Sequence, residues 1–211
     1  MKHQIYPDFK LNFRNSDLHY VSNLINQQQK NMAHPWHDVT SFPENENLVH
    51  AIIEIPKGSK AKFEVHKPSG LLKLDRMLFS AVHYPANYGF IPRTLAGDND
   101  PLDILVICQA DLPPLTLVEA RVIGVMRMRD KNETDDKILA VAEHDVSMQN
   151  INTLSDLPDY LLAEIRRFFE DYKKLEQRND VVVEEILDIN EARRIIDESV
   201  TGYQQHFHPE V

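Results

Sequence analysis

The stretch GDNDPLDILVI, residues 97–107, joins a short acidic loop to an apolar run that predicts a buried strand. Its three aspartates, Asp98, Asp100 and Asp103, lie within six residues, where carboxylates repel one another and raise each other's pKa. Pro101 and the following strand restrict the backbone, and in extended chain Asp98 and Asp100 share a face about 6–7 Å apart. Oxygen ligands of this kind suit magnesium, manganese or calcium. The stretch therefore predicts a multi-metal site.

An EF-hand and a solvated acidic turn are the alternatives to that interpretation. An EF-hand loop that begins at Asp98 needs glycine at its sixth position and glutamate at its twelfth. Those positions hold Asp103 and Gln109, so the EF-hand is excluded. A solvated turn remains open at this point, because short Asp-x-Asp motifs are loose.

Composition limits the class of protein. The 211 residues are 42% hydrophobic, enough for one large domain with a core. The net charge of −10 disfavours nucleic acid as a partner, since binding to phosphate backbones needs a basic surface. Cys108 is the only cysteine and is predicted to be a plain buried thiol. No signal peptide or membrane-spanning segment is evident, so we expect no membrane partner and a cytoplasmic location.

The organisation along the chain predicts an N-terminal extension of unknown role, residues 1–33, and a single domain, residues 34–211. The extension is rich in Asn and Gln, with a weak helical period over residues 17–30. The segment His34-Pro35-Trp36-His37 is interpreted as a packed loop rather than as a metal site. We find no internal repeat and no low-complexity linker.

Hydrophobic periodicity predicts a mainly β domain of the α+β class with a helical tail. Alternation predicts strands at residues 48–55 and 61–65, and further strands are predicted at residues 71–76, 104–108, 117–128 and 137–142. In the first strand, Glu54 faces away from the main apolar set. Residues 84–90 read as an irregular loop. Two helices follow, about 158–176 and from about 190, with these apolar stripes: Leu161, Ile165, Phe168, Tyr172 and Leu175; Ala192, Ile195, Ile196, Ser199, Val200 and Tyr203. Short strands before a helical tail indicate a barrel or a strongly curved sheet.

A second acidic group, Asp130 and Asp135-Asp136, lies at the tip of a predicted hairpin. It is either a solvated turn or a set of ligands that converges with Asp98 and Asp103 through a shared sheet. Candidate phosphate donors are Lys62, Arg76, Lys137 and Lys173, of which Arg76 suits bidentate contact best. An ion pair with Glu64 is the alternative for Lys62. Tyr84, Tyr88 and Tyr172 are candidates for phosphate contact or for core packing.

These motifs together resemble the soluble inorganic pyrophosphatases of the barrel-fold class, family I, from about His34 to Tyr203. The segments that carry the resemblance are Ile53-Glu54-Ile55-Pro56, Lys62-Phe63-Glu64, Leu74-Asp75-Arg76, Tyr84-Pro85-Ala86-Asn87-Tyr88-Gly89-Phe90, Asp98-Asn99-Asp100-Pro101-Leu102-Asp103, Asp135-Asp136-Lys137 and Phe168-Phe169-Glu170-Asp171-Tyr172-Lys173. The resemblance implies a five-stranded OB-like β-barrel flanked by two C-terminal α-helices. It also implies hydrolysis of inorganic diphosphate to two orthophosphates, in which metal-activated water attacks in line at a site with several magnesium ions.

The resemblance further implies roles for single residues. The metal ligands would be Asp98, Asp103, Asp130, Asp135 and Glu54, holding three to four magnesium ions, with manganese or zinc as possible substitutes. Asp100 would orient or deprotonate the attacking water. Lys62, Arg76, Tyr172 and Lys173 would grip phosphate, supported by Tyr88 and Lys137. Lys131 departs from the pattern, because some relatives carry an acid there.

Two other functions are compatible with parts of the pattern. One is a two-metal phosphodiesterase or nucleotide pyrophosphatase, although no aromatic and basic groove for a base is evident. The other is a non-catalytic OB-like scaffold, which would be expected to have lost some of the central acids. Relatives indicate a homo-oligomer, with a hexamer favoured.

Overall fold

The computed structural model describes residues 33–131, 133–176 and 181–208. The helix predicted within residues 17–30 lies outside the described residues. All elements below belong to residues 34–211, which form one compact unit. The strands are β1 (Leu48–Ile55), β2 (Ala61–Val65), β3 (Leu72–Met77), β4 (Asn87–Phe90), β5 (Asp103–Ile107), β6 (Leu117–Asp130), β7 (Glu133–Thr134), β8 (Lys137–Ala142) and β9 (Val181–Leu187). The helices are α1 (Asp159–Asp171) and α2 (Ile189–Phe207), with 3-10 turns at Val146–Met148, Leu154–Asp156 and Lys174–Glu176.

Five strands close into a barrel in the order β1-β4-β5-β8-β6, because β6 pairs back to β1. Four of the five pairings are antiparallel, and β5 with β8 is parallel. The strands β7 and β9 extend β6 beyond the ring, and β2 with β3 forms a separate hairpin. The predicted five-stranded OB-like barrel with two C-terminal helices is thus confirmed.

The core lies on both faces of the barrel wall. Ile104 and Val106 of β5 belong to an apolar cluster that includes α2, whereas Leu105 and Ile107 belong to a cluster that includes α1. A strand buried on both faces has no need of polar alternation. This explains the continuous apolar run after Asp103.

Strand β4 was missed by the sequence, which predicted an irregular loop over residues 84–90. A Cβ on Gly89 would lie 1.8 Å from the carbonyl oxygen of Ile52, so only glycine allows β4 to approach β1 this closely. The signal was present as a Tyr-Gly-Phe sequence, but a glycine between aromatic residues is also typical of loops. The consequence is that Tyr88 lies on a strand that is paired on both sides, with β1 and with β5.

Other predictions need smaller corrections. Strand β9 was not predicted from the sequence, and alternate residues at its start are partly buried. Helix α1 ends at Asp171, so Leu175 does not extend its apolar stripe and is 64% exposed. Cys108 is half-buried rather than buried. Among the described residues, no helix combines the length and the apolar character needed to cross a bilayer.

Candidate active site

The parallel pairing of β5 with β8 brings the two acidic segments together. Asp103 and Lys137, the first residues of these strands, are register partners. Two parallel strands that begin at the same edge also bring their preceding loops to that edge. The loop with Asp98 and Asp100 therefore meets the hairpin that carries Asp130 and Asp135. Of the second acidic group, Asp130 and Asp135 line the same pocket as Asp98 and Asp103, whereas Asp136 lies beside Arg127 and does not line it.

The Asp98 loop is held by its own backbone. The Oδ1 atom of Asp98 accepts a hydrogen bond of 3.0 Å from the amide of Asp100, and the amide of Ala96 donates to the carbonyl of Asp100 at 2.8 Å. Asn99 adopts a φ of +64°, in the left-handed region that asparagine tolerates well. Burial and the charge of Asp135 raise the pKa of Asp98. The proximity of Asp135 shows that carboxylates from both loops share one environment.

Lysines lie between the carboxylates. The ammonium of Lys137 contacts both Asp103 and Asp135, and Lys173 contacts Asp130. Burial alone would lower the pKa of Lys137, but the charges of the two aspartates outweigh burial and raise it. With these ammonium groups in between, no three metal-binding side chains of the described residues converge on a single point.

The donor chemistry nevertheless fits divalent cations. The Oδ1 atom of Asp130 is buried and has no hydrogen-bond partner among the described residues. A buried carboxylate oxygen without a donor is costly, and a hard cation is a partner that would satisfy it. All five predicted metal ligands line one pocket: Glu54, Asp98, Asp103, Asp130 and Asp135.

Glu54 is the most deeply buried carboxyl group of this set. Although it alternates with Ile53 and Ile55 as predicted, both faces of β1 are buried, and Glu54 is only 8% exposed. Its Oε1 atom accepts a 2.5 Å hydrogen bond from the amide of Val65. Burial, with a smaller contribution from the charge of Asp103, raises the pKa of Glu54 to about 8.

Strand β2 of the β2–β3 hairpin supplies Lys62 to the pocket lining. Lys62 is the register partner of Arg76. Lys62 contacts Glu64, as the ion-pair alternative predicted, and also lies 3.3 Å from the carboxylate of Asp75. Lys62 and Glu64 line the pocket, whereas Arg76 does not.

Arg76 is clamped beside the pocket by two acids. Its Nε atom donates to Glu176 at 3.0 Å, and its Nη1 atom donates to Asp75 at 2.6 Å. Its Nη2 atom is buried without a partner among the described residues. Glu176 was missed by the sequence analysis, because it lies in a turn 100 residues away from its partner.

The tyrosines separate into two groups. Tyr88 and Tyr172 line the pocket, and the ammonium groups of Lys137 and Lys173 lie 5.8 Å and 5.1 Å from their respective ring centroids. Burial first, and then the charge of Asp103, raise the pKa of Tyr88. Tyr84 packs in the core and does not line the pocket. All three rings belong to the same core cluster, and Tyr88 and Tyr172 line the pocket as well, so core packing is the sole outcome for Tyr84 and both alternatives stay open for the other two.

The pocket has a volume of about 230 Å³ and contains every predicted site residue except Arg76. It also contains Trp36 and Lys67, which the sequence analysis did not assign to it. The packed-loop interpretation of residues 34–37 agrees with the burial of Trp36, which is 4% exposed. Lys131 is exposed at the hairpin tip with a φ of +52° and does not line the pocket.

Comparison with known proteins identifies the family. A family model described as inorganic pyrophosphatase matches residues 51–204, which is more than half of the chain. The chain belongs to the inorganic pyrophosphatase family. The predicted family and the predicted enzyme class, a hydrolase, are confirmed, and the family is one of metal-dependent enzymes.

Individual inorganic pyrophosphatases match over most of their length. Soluble inorganic pyrophosphatase 2 of Chlamydomonas reinhardtii is 47% identical over 177 residues, which cover 84% of this chain and 92% of that protein. Soluble inorganic pyrophosphatase PPA1 of Solanum tuberosum is 49% identical and covers 82% of each chain. The crystal structure of inorganic pyrophosphatase from Thermus thermophilus matches with a TM-score of 0.78 at 37% identity, covering 82% of this chain and 99% of that one.

Proposed function

We propose that this chain hydrolyses inorganic diphosphate to two orthophosphates in the pocket described above, with magnesium as the metal. The observation that carries the proposal is the convergence of Asp98 and Asp103 with Asp135 from a separate hairpin, beside Lys62 and Lys173. Carboxylates bind hard cations, and ammonium groups bind phosphate. A pocket that carries both is suited to a doubly charged metal together with a phosphate substrate.

The proposed assignment of carboxylates to individual ions follows the resemblance to the family. Asp98, Asp103 and Asp135 would hold a first ion, and Asp103 would share a second. Asp130 and Asp135 would hold a third, which is supported by the Oδ1 atom of Asp130, since this atom has no hydrogen-bond partner among the described residues. Glu54 lies in the same pocket and would serve a fourth. Three to four magnesium ions would offset the local excess of negative charge, with manganese or zinc as substitutes.

Two of the lysines are proposed to have phosphate as a second partner. Lys137 and Lys173 contact carboxylates in this structure and are also proposed to contact or support phosphate. Cations bound to the carboxylates would satisfy those oxygens and leave both ammonium groups available to the substrate. Burial lowers the pKa of Lys173, although the charge of Asp130 opposes this effect. The ammonium form is retained best when an anion lies close by.

Different residues of the chain are proposed to have different roles in the reaction. Bound divalent ions would lower the pKa of water and neutralise charge on the leaving phosphate. Asp100 would orient the attacking water and accept its proton. Lys62, Arg76, Tyr172 and Lys173 would hold the phosphates, and Tyr88 and Lys137 would keep Asp103 in place. Positioning and fixed charge would supply most of the rate, as in other phosphoryl transfers.

Release of orthophosphate from diphosphate by the purified chain tests the function. We expect release with magnesium, none with a chelator, and little with calcium, whose loose coordination does not impose octahedral geometry. ATP in place of diphosphate tests the nucleotide pyrophosphatase alternative, and we expect little release from ATP. Equal rates on ATP and diphosphate, or equal rates with calcium and magnesium, would contradict the proposal.

We also propose that residues 34–211 form a single catalytic domain that self-associates in the cytoplasm, with a hexamer favoured. Self-association is supported by exposed apolar side chains in and just after β3: Leu74, Met77 and Phe79 are 53%, 50% and 66% exposed. Neighbouring apolar groups on a surface are typical of protein interfaces. Light scattering after size-exclusion chromatography measures the subunit number, and a monomer at all concentrations would contradict the proposed oligomer.

A further inference from the structure

Lys67 is an exposed residue that lines the pocket and contacts the acidic loop twice. It follows β2 at the turn of the β2–β3 hairpin. Its ammonium contacts Oδ1 of Asp100 and lies 3.4 Å from the carbonyl oxygen of Asn99. Among the described residues, Lys67 is the cation that pairs with Asp100, and Oδ2 of Asp100 has no hydrogen-bond partner there. One carboxylate oxygen is therefore held while the other is left free.

The segment before β1 fixes Lys67 from the opposite side. The Lys67 ammonium lies 5.9 Å from the centroid of the Trp36 ring, within the range of a cation–π contact. The carbonyl oxygen of Lys67 lies 2.7 Å from Nε2 of His34. A Cβ on Gly70, in the same turn, would lie 3.0 Å from Cδ of Pro35, so the segment packs tightly against the hairpin.

Trp36 is in turn hydrogen-bonded to Thr94, a residue that also bonds the acidic loop. Its Nε1 atom donates a 2.9 Å hydrogen bond to the carbonyl of Thr94. The hydroxyl of Thr94 accepts a 2.9 Å hydrogen bond from the amide of Leu102, which directly precedes Asp103. One buried indole ring thus lies within cation–π range of Lys67 and is hydrogen-bonded to Thr94, which in turn bonds the end of the loop that carries Asp100.

We infer that Lys67, seated on Trp36, is a positioning residue that holds the Asp100 carboxylate in the orientation needed for the attacking water. The inference rests on the proposed function of Asp100 and deepens it. Reactions of oriented groups depend steeply on geometry, so a small misplacement of Asp100 lowers the rate of the chemical step. Substrate affinity depends on other side chains, Lys62 and Arg76 among them.

The exposure of Lys67 and Asp100 indicates that their ion pair contributes little to the stability of the fold. The side chains of Lys67 and Asp100 are each 50% exposed, and exposed ion pairs contribute little to the free energy of unfolding. Loss of Lys67 should therefore lower turnover without lowering stability. A residue that merely stabilised the hairpin would show the reverse pattern.

The test compares Lys67→Met and Lys67→Arg with the matched control Lys73→Met, an exposed lysine of the same hairpin. For Lys67→Met we expect kcat to fall about tenfold while KM stays within about twofold, because orientation is lost and substrate contacts remain. Lys67→Arg keeps the positive charge and should therefore retain most of the wild-type kcat. Lys73→Met should leave both constants and the unfolding midpoint unchanged. Magnesium binding measured by calorimetry should be the same for all variants.

Fluorescence supplies a readout that does not depend on turnover. Trp36 is the single tryptophan of the chain, so the tryptophan emission reports the environment of the ring beside which the Lys67 ammonium lies. Lys67→Met should change that emission in the metal-free protein, and Lys73→Met should not.

Three results would overturn the inference while the wild type remains active. They are unchanged Trp36 emission in Lys67→Met, unchanged kcat in that variant, and a raised KM at unchanged kcat. The last would make Lys67 a substrate contact instead. A wild type that releases no orthophosphate from diphosphate would refute the proposed function, and the role assigned to Lys67 would fall with it.

Discussion

Asp103 and Lys137 are register partners at the first positions of two parallel strands, and the ammonium of Lys137 contacts the carboxylate of Asp103. Both side chains lie where the two acidic loops meet. The lysine also contacts Asp135, so a single buried ammonium links the carboxylates of both loops. A lysine thus lies among the carboxylates that are proposed to bind divalent ions.

Replacement of Asp103 by asparagine should nearly abolish turnover. A ligand shared by two ions contributes several kcal/mol to stabilisation of the transition state, so we expect kcat to fall about 1,000-fold. The metal-free protein should lose about 1–3 kcal/mol of stability, because Lys137 keeps Asp135 but loses one charged partner. Steady-state kinetics and urea unfolding measure the two effects. Asp111→Asn, an exposed acid outside the pocket, is the control, and near-normal activity of a folded Asp103→Asn protein would refute the assignment.

Replacement of Asp100 by asparagine should separate chemistry from metal binding. Because Asp100 is proposed to accept a proton rather than to hold an ion, we expect kcat to fall about 100-fold or more while the calorimetric affinity for magnesium is kept. Asp98→Asn, two residues away, should show the opposite pattern, with weaker magnesium binding. If Asp100→Asn lost magnesium affinity and retained its rate of hydrolysis once saturated, the two roles would have to be exchanged.

We expect Arg76 to bind phosphate through Nη2, the buried nitrogen that is not hydrogen-bonded to Asp75 or Glu176. Arg76→Lys removes the planar fork and with it a charged hydrogen bond of about 1.5–3 kcal/mol, so KM for diphosphate should rise about 10- to 100-fold. Glu176→Gln replaces the charged acceptor of the Arg76 Nε hydrogen bond with a neutral one, so it should raise KM by a smaller factor. Arg129→Lys is the matched control, since Arg129 is 54% exposed and pairs with Glu184 at the surface. Unchanged KM in Arg76→Lys would exclude contact with the substrate.

Glu54 should give the metal-free protein a distinctive pH dependence. Its pKa is 4.5 in the unfolded chain and about 8 in the folded protein. Between these values the folded state binds more protons, so stability falls as pH rises, by about 1.4 kcal/mol per pH unit from this group alone. That contribution is fully present below pH 4.5 and lost through pH 8. Urea unfolding in a chelator should show this slope in the wild type and in the surface control Glu46→Gln, but not in Glu54→Gln. An identical slope in all three would contradict the burial argument.

Local patterns made most of the fold and most of the site predictable. Alternation located β1 and β2, and the apolar face of α2 matches the buried residues Ala192 and Ile195. The acidic stretch 98–103 indicated a metal site because the cost of crowding carboxylates is a local property. Each of these signals lies within a few residues of sequence.

What the sequence did not indicate depends on distant partners. Gly89 forms part of a strand only because Ile52 lies against it, and Glu176 matters only because Arg76 reaches it. Lys67 is one exposed lysine among several until Trp36 and Asp100 are seen on either side. Such roles arise from tertiary contacts that no periodicity records.

A crystal structure of the chain grown with magnesium and orthophosphate tests the central claim most directly. We expect ions bound between the carboxylates of Asp98, Asp103 and Asp135, and phosphate held by Lys62, Arg76 and Lys173. Carboxylates that point to separate surfaces, with no ion between them, would contradict the account.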